Sequence, residues 1–485
     1  QRKVDSACIC LTPKDKLARS PRFTPPSASN IRLVYLSCAS GFDTHGGCMA
    51  LSCMEWPIQG VTNPISRIIV ETVKTPKMDN DGKPRVASMA FPGLFVNQLP
   101  DGCFSPDGKY VFASTQWGSV NRIVRISMQD GDVMPLEIDS FAGKGVSPLA
   151  SQSLLCLTND GGGTAIVSQS EPNQPPIIGY ASFGETCKSG MIFKMPPVAF
   201  SSTWGVEGPI VSGLSYDVLS MEPPHGSVKV PIQCILMMPN QTKDGSPPPL
   251  LVVPHGGPHS VSLTTFIPSY AFLCGYGGYA ILHVNYRGSA GFGQAALESL
   301  AGTAGSLDVE DVVFATREMI DMGKVDGERI GICGGSHGGF LAAHCIGQYP
   351  KLFRVAAMRN PVTNIATMVT ATDIPDWCYI EAMGKGSYNW ETFRGPTQQE
   401  LGEMWNASPI AHVANVVAPT LVALGMSDRR VPPSQGLEYY HSLRSKNIST
   451  KLLIYDKDDH AIDKVVSEAD HWINIKRWFD QHFSY

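Results

Sequence analysis

Charge is scarce in this 485-residue chain: 17% of its residues are Asp, Glu, Lys or Arg, and the formal balance is −5. No Lys/Arg cluster longer than a pair or so occurs, so a nucleic-acid partner is not expected. Long apolar runs are missing too. The nearest to a membrane span is 269–286, where Gly275, Gly277, Gly278, His283 and Asn285 interrupt it. There is no Gly-Lys-Ser/Thr phosphate loop. The 13 cysteines are odd in number and scattered, and they do not form the two close doublets of a zinc site; Cys8 and Cys10 are a lone doublet. Cys234, Cys274 and Cys333 lie inside apolar runs, where Cys serves as a small core residue. Free thiols in a reducing, cytoplasmic setting account for this better than a disulfide framework. The Asn-X-Ser/Thr triplets at Asn240, Asn406 and Asn447 are then incidental.

What is present divides into two grammars. Residues 1–216 are written as short β runs punctuated by Pro, Gly, Asn and Asp. The clearest is the turn Ser105-Pro106-Asp107-Gly108 followed by Tyr110-Val111-Phe112-Ala113. Fainter copies are Arg22-Phe23-Thr24-Pro25 with Leu33-Val34-Tyr35-Leu36, and Leu154-Leu155-Cys156-Leu157 with the turn Asn159-Asp160-Gly161. Serial strands of this kind suggest propeller blades of about 40–50 residues, four or five of them in this length, with a β-sandwich as the plainer reading. Closed propellers commonly need more blades, and the chain opens with Gln1 among β runs, so an amino-terminal part is expected to be missing.

Residues 217–485 alternate strands with helices. Strands are expected at Ile232–Met237, Leu250–Val253, Tyr279–Asn285, Arg329–Cys333, Thr420–Leu424 and Lys451–Tyr455. Helices are expected over Val309–Met322, Phe340–Tyr349 and a closing segment through Trp472 and Trp478. Alternating β and α with continuous apolar strands predicts a mostly parallel sheet covered on both faces, an α/β domain.

The chemistry centres on Gly334-Gly335-Ser336-His337-Gly338-Gly339. A serine hydroxyl is a poor nucleophile unless a base takes its proton and the backbone exposes it in a sharp turn. Gly-X-Ser-X-Gly alone is a weak signal, but here it sits between an apolar strand and a helix, as a nucleophile elbow requires. In such α/β folds an acid and then a base follow the serine. Asp428 and His460 occupy loops just after two expected strands, at the carboxyl ends where ligands meet such a sheet. Asp456, Asp458 and Asp459 compete with Asp428 as the acid, and His471 and His482 suit packing or surface roles on the closing helix. The oxyanion needs donors. The amide of His337 follows the nucleophile, and Gly257, in His255-Gly256-Gly257-Pro258, follows an early strand. Pairing His255 with His259 around a metal is disfavoured, because glycine and proline bar a helix between them. Neither metal nor cofactor is expected. Gly275-Tyr276-Gly277-Gly278-Tyr279-Ala280 fits a dinucleotide fingerprint but precedes its strand, so no helix N-terminus would meet the phosphate. Arg429 and Arg430 suit either solvation or the holding of a substrate carbonyl or carboxylate.

Five segments together resemble the acylaminoacyl-peptidases of the prolyl oligopeptidase family: His255-Gly256-Gly257-Pro258-His259, Asn285-Tyr286-Arg287-Gly288-Ser289, Gly335-Ser336-His337-Gly338-Gly339, Asp373-Ile374-Pro375-Asp376-Trp377 and Asp428-Arg429-Arg430-Val431-Pro432. The resemblance runs through the α/β half; the first half is similar only in blade pattern. It implies an α/β-hydrolase domain behind a propeller, a triad of Ser336, Asp428 and His460, an oxyanion hole of the Gly257 and His337 amides, and Arg430 as a substrate-holding residue. It also implies a cytosolic, cofactor-free homo-oligomer. Its activity would be release of one N-acylated, typically N-acetylated, amino acid from short peptides, with a propeller that excludes folded proteins. Relatives begin with a hydrolase helix and a complete propeller, which this chain is expected to lack. Two other readings stay open. A dipeptidyl-peptidase would hold a free amino terminus with acidic residues, yet no two glutamates are adjacent in the chain. An inactive scaffold would use the ragged propeller to recruit a partner.

Overall fold

The computed structural model describes residues 10–12, 16–39, 47–56, 65–77, 90–136, 138–139, 147–158, 164–182, 191–194, 213–226, 230–239, 245–389, 391 and 394–484. Cys8, Asn240 and the turn Asn159-Asp160-Gly161 lie outside them. Among its described residues the first half is all-β. A four-stranded antiparallel sheet contains β1 (Lys16–Phe23), β2 (Arg32–Ala39), β3 (Ala50–Glu55) and β4 (Arg67–Val70) in chain order. A three-stranded meander follows, with β5 (Tyr110–Trp117), β6 (Val120–Ser127) and β7 (Val133–Pro135). The third sheet holds β8 (Ile138–Asp139), β9 (Ser151–Leu157), β10 (Thr164–Glu171), β11 (Gln174–Ser182) and β12 (Met191–Lys194) in the order β8-β12-β11-β10-β9. The Ser105–Gly108 turn feeds β5 as its residue types demand. The Ser105 hydroxyl donates to Asp107 Oδ1 at 2.7 Å, and Gly108 takes a φ of +69°.

The second half is built on one eight-stranded sheet, ordered β13-β14-β16-β15-β17-β18-β19-β20. β13 (Ser215–Met221) and β14 (Ile232–Met238) form an antiparallel edge. The other six strands run parallel: β15 (Leu250–Pro254), β16 (Ala280–Asn285), β17 (Ile330–Gly335), β18 (Val355–Arg359), β19 (Thr420–Gly425) and β20 (Thr450–Tyr455). The two-residue period of a strand sends successive apolar side chains to opposite faces. Leu250 and Val252 join one buried cluster, Leu251 and Val253 the other. Helices α1 (Pro268–Gly275), α2 (Gln294–Glu298), α3 (Leu307–Asp321), α4 (His337–Gln348), α5 (Ile365–Met368), α6 (Pro375–Met383), α7 (Gln398–Asn406), α8 (Ser434–Ser445) and α9 (Val465–Phe483) complete the domain. α3 and α4 cover the Val252 face, while α1 and α9 cover the Leu251 face.

The expected strands and the closing helix stand where periodicity puts them. The helix expected from Phe340 starts instead at His337. Gly338 and Gly339 hide its first turn from propensity, since glycine disfavours helix by about 1 kcal/mol relative to alanine. β18 has no counterpart in the sequence reading, because its Ala356-Ala357-Met358 centre favours helix over strand in isolation.

The two halves meet through buried polar contacts. The Ser119 amide donates to Gln233 Oε1 at 2.9 Å, Asn285 Nδ2 donates to Ser119 Oγ at 2.9 Å, and the Phe266 amide donates to Ser170 Oγ at 2.8 Å. Beneath the cleft, Arg287 forks onto Asp311. Its Nε lies 3.0 and 3.1 Å from the two carboxylate oxygens, its Nη2 is 2.5 Å from Oδ1, and its backbone N–H adds a bond of 2.8 Å. Both side chains are buried. Burial, helped by the nearby Asp308 charge, pushes the Asp311 carboxyl pKa up, against the pull of Arg287. Removing one partner strands the other charge in a dry site, so Arg287→Met should lower unfolding free energy by about 3–5 kcal/mol. Chemical denaturation checks this; a loss below about 1 kcal/mol would place the pair among surface-like bridges.

Candidate active site

Ser336 sits where β17 turns into α4, with φ 58° and ψ −122°. That backbone is unfavourable for a residue with a side chain and holds the hydroxyl out of the turn. Gly334 and Gly338 make the turn possible: a Cβ on Gly334 would strike the Gly338 carbonyl, and one on Gly338 would strike the Pro254 carbonyl. Both glycines answer to close backbone approach.

Asp428 follows β19 and is buried. Its Oδ1 accepts the backbone N–H groups of Arg430 at 2.8 Å and Val431 at 3.0 Å, and its Oδ2 lies 2.7 Å from His460 Nδ1. One oxygen is thus fixed by the backbone and the other is aimed at the imidazole. Two of the three competing carboxylates are engaged elsewhere. Asp458 accepts from the Ser467 hydroxyl at 2.8 Å, and Asp459 Oδ1 accepts the Ala461 amide at 3.3 Å. His460 and Ser336 line one cavity of about 400 Å³, together with Gly256, Gly335 and Arg359. His471 is buried and bonds to the Ser467 carbonyl at 2.9 Å, a packing role.

Gly256 presses on the nucleophile turn, its Cβ position 3.2 Å from the Gly335 carbonyl oxygen. The next residue, Gly257, is pinned from outside: its carbonyl accepts from Trp377 Nε1 at 3.0 Å. His337 is the first residue of α4, where a helix leaves its N–H groups without internal partners. Its side chain points away from the cleft and meets Asp308 Oδ2 at 2.8 Å, both groups fully buried. Asp308 Oδ1 also accepts the amides of Gly305 and Val309, at 2.8 and 3.0 Å. The nucleophile helix is therefore tied to α3 by a carboxylate that the sequence reading did not single out.

His255 and His259 have separate partners. His255 Nε2 meets Ser289 Oγ at 2.7 Å, whereas His259 bonds to the Gly288 carbonyl at 2.9 Å and to Glu381 at 3.1 Å. Burial pushes His255 down to about 3, so it stays neutral. For His259 burial acts the same way, but the adjacent Glu381 outweighs it and raises the pKa.

Arg430 extends along the surface into a fork with Asp373, Nε to Oδ1 at 2.7 Å and Nη2 to Oδ2 at 3.3 Å, with both side chains about half exposed. Arg359 and Asn360, at the end of β18, were not foreseen from the sequence. Asn360 Nδ2 donates to the carbonyls of Asp459 and His460 at 3.1 and 3.0 Å, and its Oδ1 accepts the Gly425 amide at 2.9 Å. It thereby ties the loop of His460 to the end of β19, from which Asp428 follows. The polar pair Arg359-Asn360 after the apolar run Val355–Met358, ahead of Pro361, was the available signal.

Among the described residues, no helix is long and apolar enough to cross a membrane, and no group of three or more His, Cys, Asp or Glu could hold a metal. The eleven described cysteines are all free thiols.

Comparisons with known proteins agree with this architecture. Residues 266–485 match the prolyl oligopeptidase family, and residues 1–203 match the N-terminal domain of acylamino-acid-releasing enzymes. The acylamino-acid-releasing enzyme of Mus musculus is 34% identical over 484 residues, covering 98% of this chain and 60% of the relative. That of Arabidopsis thaliana is 35% identical over 478 residues, covering 95% and 58%. The chain thus spans about 60% of the length of these curated relatives. Among solved structures, a Pyrococcus horikoshii acylaminoacyl peptidase superposes with a TM-score of 0.64 at 17% identity, over 97% of this chain and 71% of its own. A Mycobacterium tuberculosis puromycin-hydrolysing peptidase does so with 0.66 at 19%, over 96% and 63%. At such identities the structural likeness speaks to the fold.

Proposed function

We propose that this chain, whose hydrolase half matches the prolyl oligopeptidase family, is a serine exopeptidase releasing N-acylated, typically N-acetylated, amino acids from short peptides. The observation that carries this reading is the 2.7 Å bond from His460 Nδ1 to Asp428, with Ser336 in the same cavity. With Nδ1 committed to the carboxylate, His460 Nε2 is the nitrogen free to take the Ser336 proton as Oγ attacks the carbonyl of the acylated residue. The Gly257 and His337 amides would receive the developing oxyanion. His460 then protonates the departing amine, leaving an ester on Ser336, and water repeats the sequence to release the acyl amino acid. Arg430, whose fork to Asp373 engages Nε and Nη2, would offer Nη1 to a carbonyl on the acyl side. No step calls for a cofactor.

The first half we read as blades of a propeller packed over the hydrolase, with residues 1–216 and 217–485 as the two domains around the β13 edge. Free thiols support a cytoplasmic setting, and a homo-oligomer and a further amino-terminal part remain within the proposal. The test is the purified chain with acetyl-Ala-Ala-Ala and with its free-amine twin. Acetylalanine should appear, with kcat/KM for the acetylated peptide about tenfold or more above that of the twin. A preference for the twin would turn the assignment to a dipeptidyl-peptidase. Failure to react with a fluorophosphonate probe would turn it to an inactive scaffold.

A further inference from the structure

Among the described residues lining the cavity beside Ser336, Arg359 is the single permanently charged one, and neither Asp nor Glu lines the space. Burial pushes His283 down to about 4 and His255 down to about 3, so these two histidines of the cavity wall are neutral. The guanidinium stacks on Trp472, its carbon 5.0 Å from the ring centroid. Stacking occupies the face of the guanidinium and leaves its in-plane N–H donors for other use. They are sparsely used. Nε is buried without a hydrogen-bond partner, and Nη1 reaches only the Ala461 carbonyl at a long 3.5 Å. No carboxylate among the described residues pairs with Arg359, unlike the buried Arg287, which is forked onto Asp311. An arginine that lines a cavity and lacks an acidic partner is prepared for an anion from outside.

Its position says which part of a substrate that anion belongs to. Nη2 lies 3.1 Å from where a Cβ on Gly335 would be, and Nη1 faces Ala461. The guanidinium thus bridges the residue before the nucleophile and the residue after the base. His460 must hand its proton to the departing nitrogen, so the leaving fragment lies on the imidazole side of Ser336. We infer that Arg359 forms a carboxylate-binding subsite for the leaving peptide, taking the terminal carboxylate of a short leaving fragment. Such a subsite favours short peptides by its own chemistry, because a long chain carries its terminal carboxylate beyond reach. The inference depends on the proposed acyl transfer only for the side on which the leaving group lies.

The test compares acetyl-Ala-Ala with acetyl-Ala-Ala-amide in the parent chain, Arg359→Met and Arg359→Lys. In the parent, kcat/KM should favour the free carboxylate at least tenfold. Arg359→Met should bring the ratio close to one, whatever its absolute rates, and Arg359→Lys should recover part of it. A packing role against Trp472 would lower both substrates together and keep the ratio. A parental ratio near one, or one that survives Arg359→Met, overturns the inference. A second pair, acetyl-Ala-Asp-amide against acetyl-Ala-Asn-amide, separates the sources: preference for Asp would assign the subsite to an acidic side chain instead of the chain end. Protection of Ser336 from a fluorophosphonate by Ala-Ala, compared with Ala-Ala-amide, reads the same subsite with no acetylated substrate. Protection by both alike counts against the subsite; selective protection by Ala-Ala without acetyl-peptide cleavage keeps the subsite and rejects the acyl-amino-acid reading.

Discussion

Ser336→Ala should abolish turnover of acetylated peptides, by about 10⁶-fold in kcat, and eliminate fluorophosphonate labelling at the same time. The size follows from what the substitution removes. Only Oγ is lost, while the elbow depends on backbone contacts of Gly334 and Gly338, which remain. Alanine can hold the φ of 58° no better and little worse than serine, so the melting temperature should stay close to that of the parent. What should survive is acceleration from the two proposed amide donors and from binding, the residue left when a nucleophile is deleted from such a group. Steady-state release of acetylalanine, with mass spectrometry of the labelled protein, checks both parts. Turnover within tenfold of the parent would remove Ser336 from the chemistry and leave the positive-φ turn as a structural feature.

Much of the architecture was readable because apolar strands and punctuating turns are local signals. β15, β16 and β19 are buried along their whole length, and a strand covered on both faces is mostly apolar. Ser336, Asp428 and His460 could be marked because each falls just past such a run, at the edge where a parallel sheet presents its loops. The order Ser, Asp, His could not choose between Asp428 and the three acids beside His460. The reading of Asp428 as the acid is supported by β19 lying next to β20, with Gly425 opposite Tyr455, which sets the two loops side by side. The residues that escaped notice act across the sheet. Asp308 reaches His337 from twenty-nine positions away, and Asn360 spans a hundred positions to the His460 carbonyl. No spacing rule connects such pairs. Arg359 escaped for a related reason: its strand is alanine-rich, so nothing marked the cavity-facing end of β18 as an end at all.

Asp428→Asn should cost about 10⁴-fold in kcat while barely changing KM or the fold. The carboxylate does two jobs at once: Oδ1 accepts two backbone N–H groups and Oδ2 faces His460 Nδ1 at 2.7 Å. An amide can keep only one of them. If its oxygen stays with Arg430 N–H and Val431 N–H, its NH₂ faces Nδ1 and donates to it. The imidazole proton then moves to Nε2, which can no longer accept the Ser336 proton. If the amide flips to restore the acceptor at Nδ1, its NH₂ faces two N–H donors, and a buried donor is left without a partner. The first arrangement costs less, so the inactive tautomer is the one expected to be populated. Asp456→Asn and Asp459→Asn, on the histidine loop itself, should leave kcat near that of the parent, because neither side chain meets the imidazole. Parallel loss of turnover and of fluorophosphonate labelling rate in Asp428→Asn, with both controls active, is the pattern expected. Near-parental turnover in Asp428→Asn would mean that His460 is oriented by the Asn360 tether on its loop and not by the carboxylate.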